Sequence, residues 1–207
     1  MYIKNIIIMI LLNLTVVLGS VKLDISNHET SFQSSSNSLL SLDCQITLGD
    51  ISINQEKDNF ISIDISTSHH SMDIGNPELP QINKLIEIPQ SGNPRFEIIN
   101  EKHIIINLNE YNIDGKIVPV QPSRAKSGKN AHQLFTLNQT IYNKNEFIND
   151  EIITIEEVGT MRSVNIGNLM IKPVNYNPQK NIIKIYTELD FIVHFDNADL
   201  EKTNKIK

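Results

Sequence analysis

The sequence predicts an all-β protein, an antiparallel β-sandwich or two stacked β-sheets with little helix, and three observations predict it. Apolar and polar residues alternate over several separate stretches, the period of a strand with one buried face. The apolar residues are chiefly Ile, Leu and Val, with no Trp and only 6% aromatics, and branched side chains favour extended backbone. Gly, Pro and Asn punctuate these stretches at short intervals, where a chain of strands must turn.

The first clear strand is Leu40 to Leu48, where Leu40, Leu42, Cys44, Ile46 and Leu48 are apolar and Ser41, Asp43, Gln45 and Thr47 between them are polar. Gly49-Asp50 reads as a turn, and Ile61, Ile63 and Ile65 repeat the alternation. Strands are expected at Ile82–Ile88, Arg95–Ile99 and Ile104–Leu108, the last two joined by a hairpin-like Asn100-Glu101-Lys102. A short Pro-flanked strand follows at Ile117–Val120. Ile152–Val158 and Val164–Ile171 come next, the latter changing phase at Gly167-Asn168, which suggests a bulge. The longest strand runs from Asn181 to Phe195, with Ile183, Ile185, Leu189, Phe191, Val193 and Phe195 on one face and Thr187 interrupting it. Helical patterning is nearly absent; Phe147–Glu151 is the one place for a turn of helix.

The N-terminus has a different character. Met1–Asn5 carries one Lys, Ile6–Leu18 is apolar apart from Asn13 and Thr15, and Val17-Leu18-Gly19 closes the run with a small residue. This is the order of a secretory signal peptide. The apolar run falls short of the roughly 20 residues that span a bilayer as a helix, which favours a cleaved leader over a retained membrane anchor. The expected division is a signal peptide over 1–19, a polar, loosely ordered lead-in over 20–38, one β-sandwich domain over 39–196 and a flexible polar tail over 197–207. The expected location is secreted, outside the cytoplasm, with no membrane contact after cleavage.

Charge and cysteine content narrow the function. Cleavage removes only Lys4 among the charged residues, so 18 − 1 = 17 basic residues face 24 acidic ones, a net of −7 against −6 for the whole chain. A mildly acidic protein has no electrostatic footprint for a phosphate backbone, which argues against nucleic acid as a partner. A single cysteine rules out an intrachain disulfide. Cys44 falls in phase with Leu42 and Ile46 on the face that must be buried, which points to a small core residue; a nucleophile needs an exposed, electropositive setting with a base in reach. His69-His70 is the only His pair. Adjacent strand residues point to opposite faces, so the pair makes a poor metal site even with Asp73 nearby. His194 falls opposite the apolar face of the last strand and is expected in solvent. Glu156-Glu157 are neighbours on a strand and do not converge on one substrate. No phosphate-binding Gly-rich loop or nucleophile elbow is present. The residues supply no catalytic constellation, metal or cofactor, and a free-standing enzyme is the weakest reading.

A series of loop motifs is more specific. Gly75-Asn76-Pro77-Glu78-Leu79-Pro80 is followed by Ile86-Glu87-Ile88-Pro89, Pro119-Val120-Gln121-Pro122-Ser123, Gly159-Thr160-Met161-Arg162-Ser163-Val164, and Ile171-Lys172-Pro173-Val174-Asn175-Tyr176-Asn177-Pro178. Pro173 and Pro178 bracket Tyr176, whose ring is placed to pack while its hydroxyl finds a backbone partner. In this order the motifs resemble the N-terminal propeptide of gingipain-type secreted cysteine peptidases, from about Leu39 to Phe195. Arg162-Ser163 departs from the Arg-Gly expected there, so that turn is expected to differ in shape. The Cys–His dyad of the family belongs to a catalytic domain that has no counterpart in these residues.

The resemblance implies a prodomain that helps a cysteine peptidase fold and blocks its active-site cleft, in cis or in trans. The peptidases of that family select basic residues, which draws attention to Pro122-Ser123-Arg124-Ala125-Lys126-Ser127-Gly128-Lys129. Arg124, Lys126 and Lys129 are the candidates for entering an acidic specificity pocket. Arg124 suits it best, because a planar guanidinium pairs with a carboxylate bidentately. From charge pattern alone the same residues read as a solvated loop. The alternative function is a non-catalytic β-sandwich acting as a structural or adhesive binding module.

Overall fold

The structure, a computed structural model, describes residues 14–17, 20–23, 29–123, 134–148 and 151–206. Fourteen strands and two short α-helices are found among them. The strands are β1 (Leu14–Val17), β2 (Ser20–Leu23), β3 (Ser31–Ser38), β4 (Ser41–Thr47), β5 (Ile51–Gln55), β6 (Phe60–Ile65), β7 (His69–His70), β8 (Pro80–Ile88), β9 (Asn93–Asn107), β10 (Lys116–Ile117), β11 (Ile153–Met161), β12 (Val164–Ile171), β13 (Val174–Asn177) and β14 (Ile182–Asp196). The helices are α1 (Gln139–Tyr142) and α2 (Leu200–Ile206).

The strands form three sheets, ordered β1-β2-β5-β6-β10, β11-β12-β8-β7 and β13-β14-β4-β3, with β9 also paired to β14. All ladders are antiparallel except β10 on β6. The all-β expectation holds. The sheets close on one shared core, into which β4 sends Cys44 and Ile46, β5 Ile51 and Ile53, β6 Ile61 and Ile63, β8 Ile82 and Ile88, and β12 Leu169 and Ile171. Alternation along each strand puts these side chains on one face, and burying a branched side chain contributes about 1.5–3 kcal/mol.

β14 is the strand the others share. One edge pairs with β9 along its whole length. The other pairs first with β13 and then, from Glu188, with β4. Thr187 marks the changeover as an extra residue against β9, and its carbonyl accepts from Leu48 N at 2.9 Å. The residue that breaks the apolar face is therefore a bulge.

Several local expectations are corrected. Arg95–Ile99 and Ile104–Asn107 are parts of one strand, β9, and Leu108 begins a 3₁₀ turn after it. The polar Asn100-Glu101-Lys102 does not turn, because each residue finds a cross-strand partner on β14. Asn100 Nδ2 donates to Asp190 at 3.1 Å and Lys102 Nζ lies 2.7 Å from Glu188. Without Gly or Pro, nothing forces a turn there. The bulge expected at Gly167-Asn168 lies on the facing strand, where Val158 is extra between Glu157 and Gly159; β12 itself pairs with β8 without a shift. Gly167 instead leaves room for Ile88, whose Cδ1 lies 2.7 Å from where a Cβ would stand.

The segment read as a loosely ordered lead-in contains β2 and β3. β3 forms an edge on β4, where backbone pairing needs no apolar face beyond Phe32, which packs on the core. The tail read as flexible contains α2. Asp199 caps it by accepting from Lys202 N at 2.9 Å, and Asp199 N donates to Gln90 O at 2.7 Å. The buried Thr203 hydroxyl accepts from Gln90 N at 2.9 Å, which fixes the helix to the β8–β9 turn. Helix-capping Asp was the legible signal. The helical turn expected at Phe147–Glu151 lies earlier, at α1, capped by Asn138; Phe147 and Ile148 are not helical.

The Arg162-Ser163 departure is also resolved. Both residues have positive φ, 50° and 69°, between β11 and β12, as a two-residue type I′ hairpin requires. Ser163 therefore occupies a conformation that favours glycine, and Ser163→Gly is expected to raise stability by about 1 kcal/mol. Gly115 is the opposite case. At φ +120° an added Cβ would meet Asn59 O at 2.6 Å, and Gly115→Ala is expected to destabilise by about 1–3 kcal/mol. Denaturant melts of the two variants should move in opposite directions.

Candidate functional site

Two of the loop motifs, far apart in sequence, are paired in space. Gly75 N donates to Val120 O at 2.8 Å, Val120 N to Asn76 O at 2.9 Å, and Glu78 N to Val118 O at 2.8 Å. Pro77 and Pro119 face each other as a bridge. Proline lacks an N–H, so both fit where no ladder bond is required of them. Val118 N in turn donates to Ile61 O at 2.8 Å, which attaches this pair to β6. Gly75 has φ +84° and its carbonyl accepts from Asn138 N at 2.9 Å. Asn138 Nδ2 also reaches Asn76 Oδ1 at 2.9 Å. The two chain ends that flank residues 124–133 are thus seated on one extension of a sheet.

Two buried tyrosines support that seat from below. Tyr142 donates its hydroxyl to Ile117 O at 2.5 Å. Tyr176 donates to Asn181 Oδ1 at 2.9 Å, so its partner is a side chain as well as the nearby Ile117 backbone. Burial raises both phenol pKa values, with the neighbouring Tyr176 adding to the effect on Tyr142 and the Ile117 backbone opposing it at Tyr176. Tyr142 was not singled out from sequence; the Asn138 cap followed by an aromatic was the only sign of it.

Arg124, Lys126 and Lys129 lie outside the described residues. Around their flanks stand exposed apolar side chains: Met72 at 83% and Leu134 at 85% exposure, with Ile74 and Phe135 more than half exposed. Phe135 also stacks at a tilt on Phe60, centroids 5.5 Å apart. Exposed large apolar side chains at these positions offer contact area to a partner.

The groups tested for chemistry fall elsewhere. Cys44 is 4% exposed, and burial, with the negative charge of Asp43 adding to it, pushes its thiol from 9.0 up to about 12. The neighbouring groove, about 440 Å³, brings Asp43, Gln45 and Asp190 to it, with no His, Lys or Arg among its lining residues to stabilise a thiolate. A buried, protonated thiol beside negative charge is a poor nucleophile. His69 and His70 lie on β7. His70 sits between Asp64 and Glu78, its ring nitrogens each 3.2 Å from a carboxylate oxygen, and links β6 to the chain entering β8. Asp73 is not among those contacts. No group of three or more His, Cys, Asp or Glu is arranged to hold a metal among the described residues. His194 is half-buried rather than solvated, with Nε2 3.4 Å from Glu97. Glu156 and Glu157 face different partners, Asn168 and Gly167.

The thiol gives a test of the core. Folding holds its proton more tightly, so its contribution to stability is intact below about pH 9 and is lost as pH rises toward 12. Cys44→Ala should remove part of the alkaline fall in Tm. In the native protein at pH 8, iodoacetamide should label Cys44 no faster than the protein unfolds, whereas rapid stoichiometric labelling would place the thiol at the surface.

Known proteins resemble the chain over most of its length. Residues 29–207 match the Propeptide_C25 family. Lys-gingipain of Porphyromonas gingivalis is 28% identical over 191 residues, which are 91% of this chain and 11% of that protein. Gingipain R2 of the same organism is 25% identical over 117 residues, 56% of this chain and 15% of that protein. The chain therefore spans about a tenth of the length of Lys-gingipain. A solved structure concerned with the zymogenic latency of gingipain K from Porphyromonas gingivalis superposes with a TM-score of 0.76 at 28% identity, covering 86% of this chain and 100% of that one. The complex of the RgpB pro- and mature domains gives 0.67 at 19% identity, covering 84% and 87%, a likeness of fold. The match extends over the described strands from β3 to β14 and through α2, and by it the chain belongs to the Propeptide_C25 family of propeptide domains.

Proposed function

We propose that this domain is a secreted propeptide that holds a gingipain-type cysteine peptidase inactive, and assists its folding, by covering the active-site cleft. The observation that carries the reading is the paired seat of residues 75–78 and 118–120, close in sequence to the exposed apolar side chains Met72, Ile74, Leu134 and Phe135. Family membership and the similarity to a gingipain K structure concerned with zymogenic latency support it. Arg124, and after it Lys126 and Lys129, is the basic residue placed in the specificity pocket, with the apolar rim supplying contact area around it. A specific interface of this kind buries roughly 1,200–2,000 Å² in total. Residues 1–19 act as the export signal, of which Leu14–Val17 form β1 on β2 in the uncleaved chain. The peptidase is reached either in cis, from one precursor, or in trans.

The test is direct. The purified domain is mixed with a gingipain-type peptidase domain and hydrolysis of a small Arg or Lys substrate is followed. Inhibition is expected at micromolar domain or below. Arg124→Ala, Lys126→Ala and Lys129→Ala are compared singly, and the residue in the pocket is expected to weaken inhibition by about 10- to 100-fold. Absence of inhibition together with no gain in peptidase refolding overturns the reading. Unchanged inhibition in all three variants overturns the assignment of the loop.

A further inference from the structure

A groove of about 480 Å³ is walled largely by side-chain amides. Asn59 comes from the turn into β6, Asn109 from the turn after β9 and Gln139 from the start of α1, while Gln179 and Asn181 come from the turn between β13 and β14. Four stretches distant in sequence thus bring one chemical group to one place. Gly115 lets two of the walls close up, since an added Cβ there would meet Asn59 O at 2.6 Å. The groove adjoins the seat: Leu137, on its wall, is next to Asn138, which bonds Gly75 and Asn76.

One of these amides is oriented from the core. The buried Tyr176 hydroxyl donates to Asn181 Oδ1 at 2.9 Å, and Asn181 Nδ2 donates to Asn109 Oδ1 at 3.1 Å. The relay occupies the oxygen of Asn109 and leaves its Nδ2, on an exposed side chain, as the outward donor. Lys116 Nζ spends one N–H on Tyr142 O at 3.4 Å and keeps two. The exposed side chains of Asn59, Gln139 and Gln179 make no hydrogen bond to the described residues.

The charge and shape of the walls select the ligand. Lys116 and Asp58 are the charged residues that line the groove. One cation offset by one anion gives a phosphate no reason to settle there. A sugar ring favours an open aromatic floor, but Tyr142 is buried and Phe60 leans on Phe135, centroids 5.5 Å apart. A peptide main chain is what planar amides match, because its C=O and N–H complement their own donor and acceptor. The same chain already makes that match elsewhere. Gln121 Oε1 accepts from Thr136 N at 3.0 Å, and its Nε2 donates to Thr136 O at 2.8 Å.

We propose that this groove binds an extended main-chain segment of the peptidase domain, an inference that rests on the cleft-covering function proposed above. Carbonyls of the segment accept from Asn109 Nδ2 and Lys116 Nζ, and Gln139 and Gln179 pair with its peptide groups from the facing walls. Main-chain bonds of this kind supply affinity while tolerating changes of sequence. The groove is continuous with the apolar contact surface, since Phe60 on its wall stacks on the exposed Phe135.

The experiment compares the full wild-type domain with two variants. Gln139→Ala/Gln179→Ala removes two side-chain amides that bond nothing else among the described residues, and Asn109→Asp keeps the bond from Asn181 but loses the outward donor. Kd for a gingipain-type peptidase domain, Tm of the free domain, and amide hydrogen exchange of the peptidase in each mixture are measured. Each variant is expected to bind about tenfold more weakly and to keep the wild-type Tm within about 2 °C. One peptidase segment protected by wild type should exchange freely with either variant. If wild type binds and both variants bind as tightly, the groove is overturned as a contact while the cleft-covering function stands. If affinity falls but no peptidase amide loses protection, main-chain recognition is overturned. If Tm falls in step with affinity, the amides are structural and the inference is likewise overturned. If wild type itself does not bind, it is the cleft-covering function that fails.

Discussion

The structure depends on one constraint: every second side chain of β14 has to leave water. Ile183, Ile185, Leu189, Phe191 and Val193 are all buried, and a strand can bury that row only if sheets close over it. β9 on one edge, and β13 then β4 on the other, follow from that need, and the remaining sheets close the same core from other sides. With no disulfide available to a chain holding one buried Cys, this apolar closure carries the stability.

The proposed contact surface is mounted on that frame. The paired seat is attached to β6 through Val118, and Ile117 beside it is held by the hydroxyl of Tyr142. A rigid support with a short polar extension is how recognition segments are commonly mounted, because the support fixes geometry while the extension varies. Cys44, the one side chain with reactive chemistry, is spent as packing inside the same frame.

Legibility in the sequence followed the type of interaction. Strands whose reason is a buried alternating face, such as β4, β6, β12 and β14, could be read to within a residue or two. Strands held by backbone pairing or cross-strand polar contacts could not: β3 looks like a polar spacer, and the centre of β9 looks like a turn until Asp190 and Glu188 face it. The same holds for α2, tied to Gln90 through Thr203 and through its cap Asp199. At the site, the motifs around Pro77 and Pro119 were visible, but not that they pair. Gln121 resembles any polar loop residue, since its amide meets Thr136 only once the fold brings the two together.

Hydrogen–deuterium exchange of the domain alone and mixed with a gingipain-type peptidase domain tests the account most directly. The amides of β14 should be among the slowest in both states, as the centre of the frame, and binding should add protection at 72–78, 118–123 and 134–138. Protection falling instead along the outer edge of β9 or β3, with none at those three segments, would contradict it.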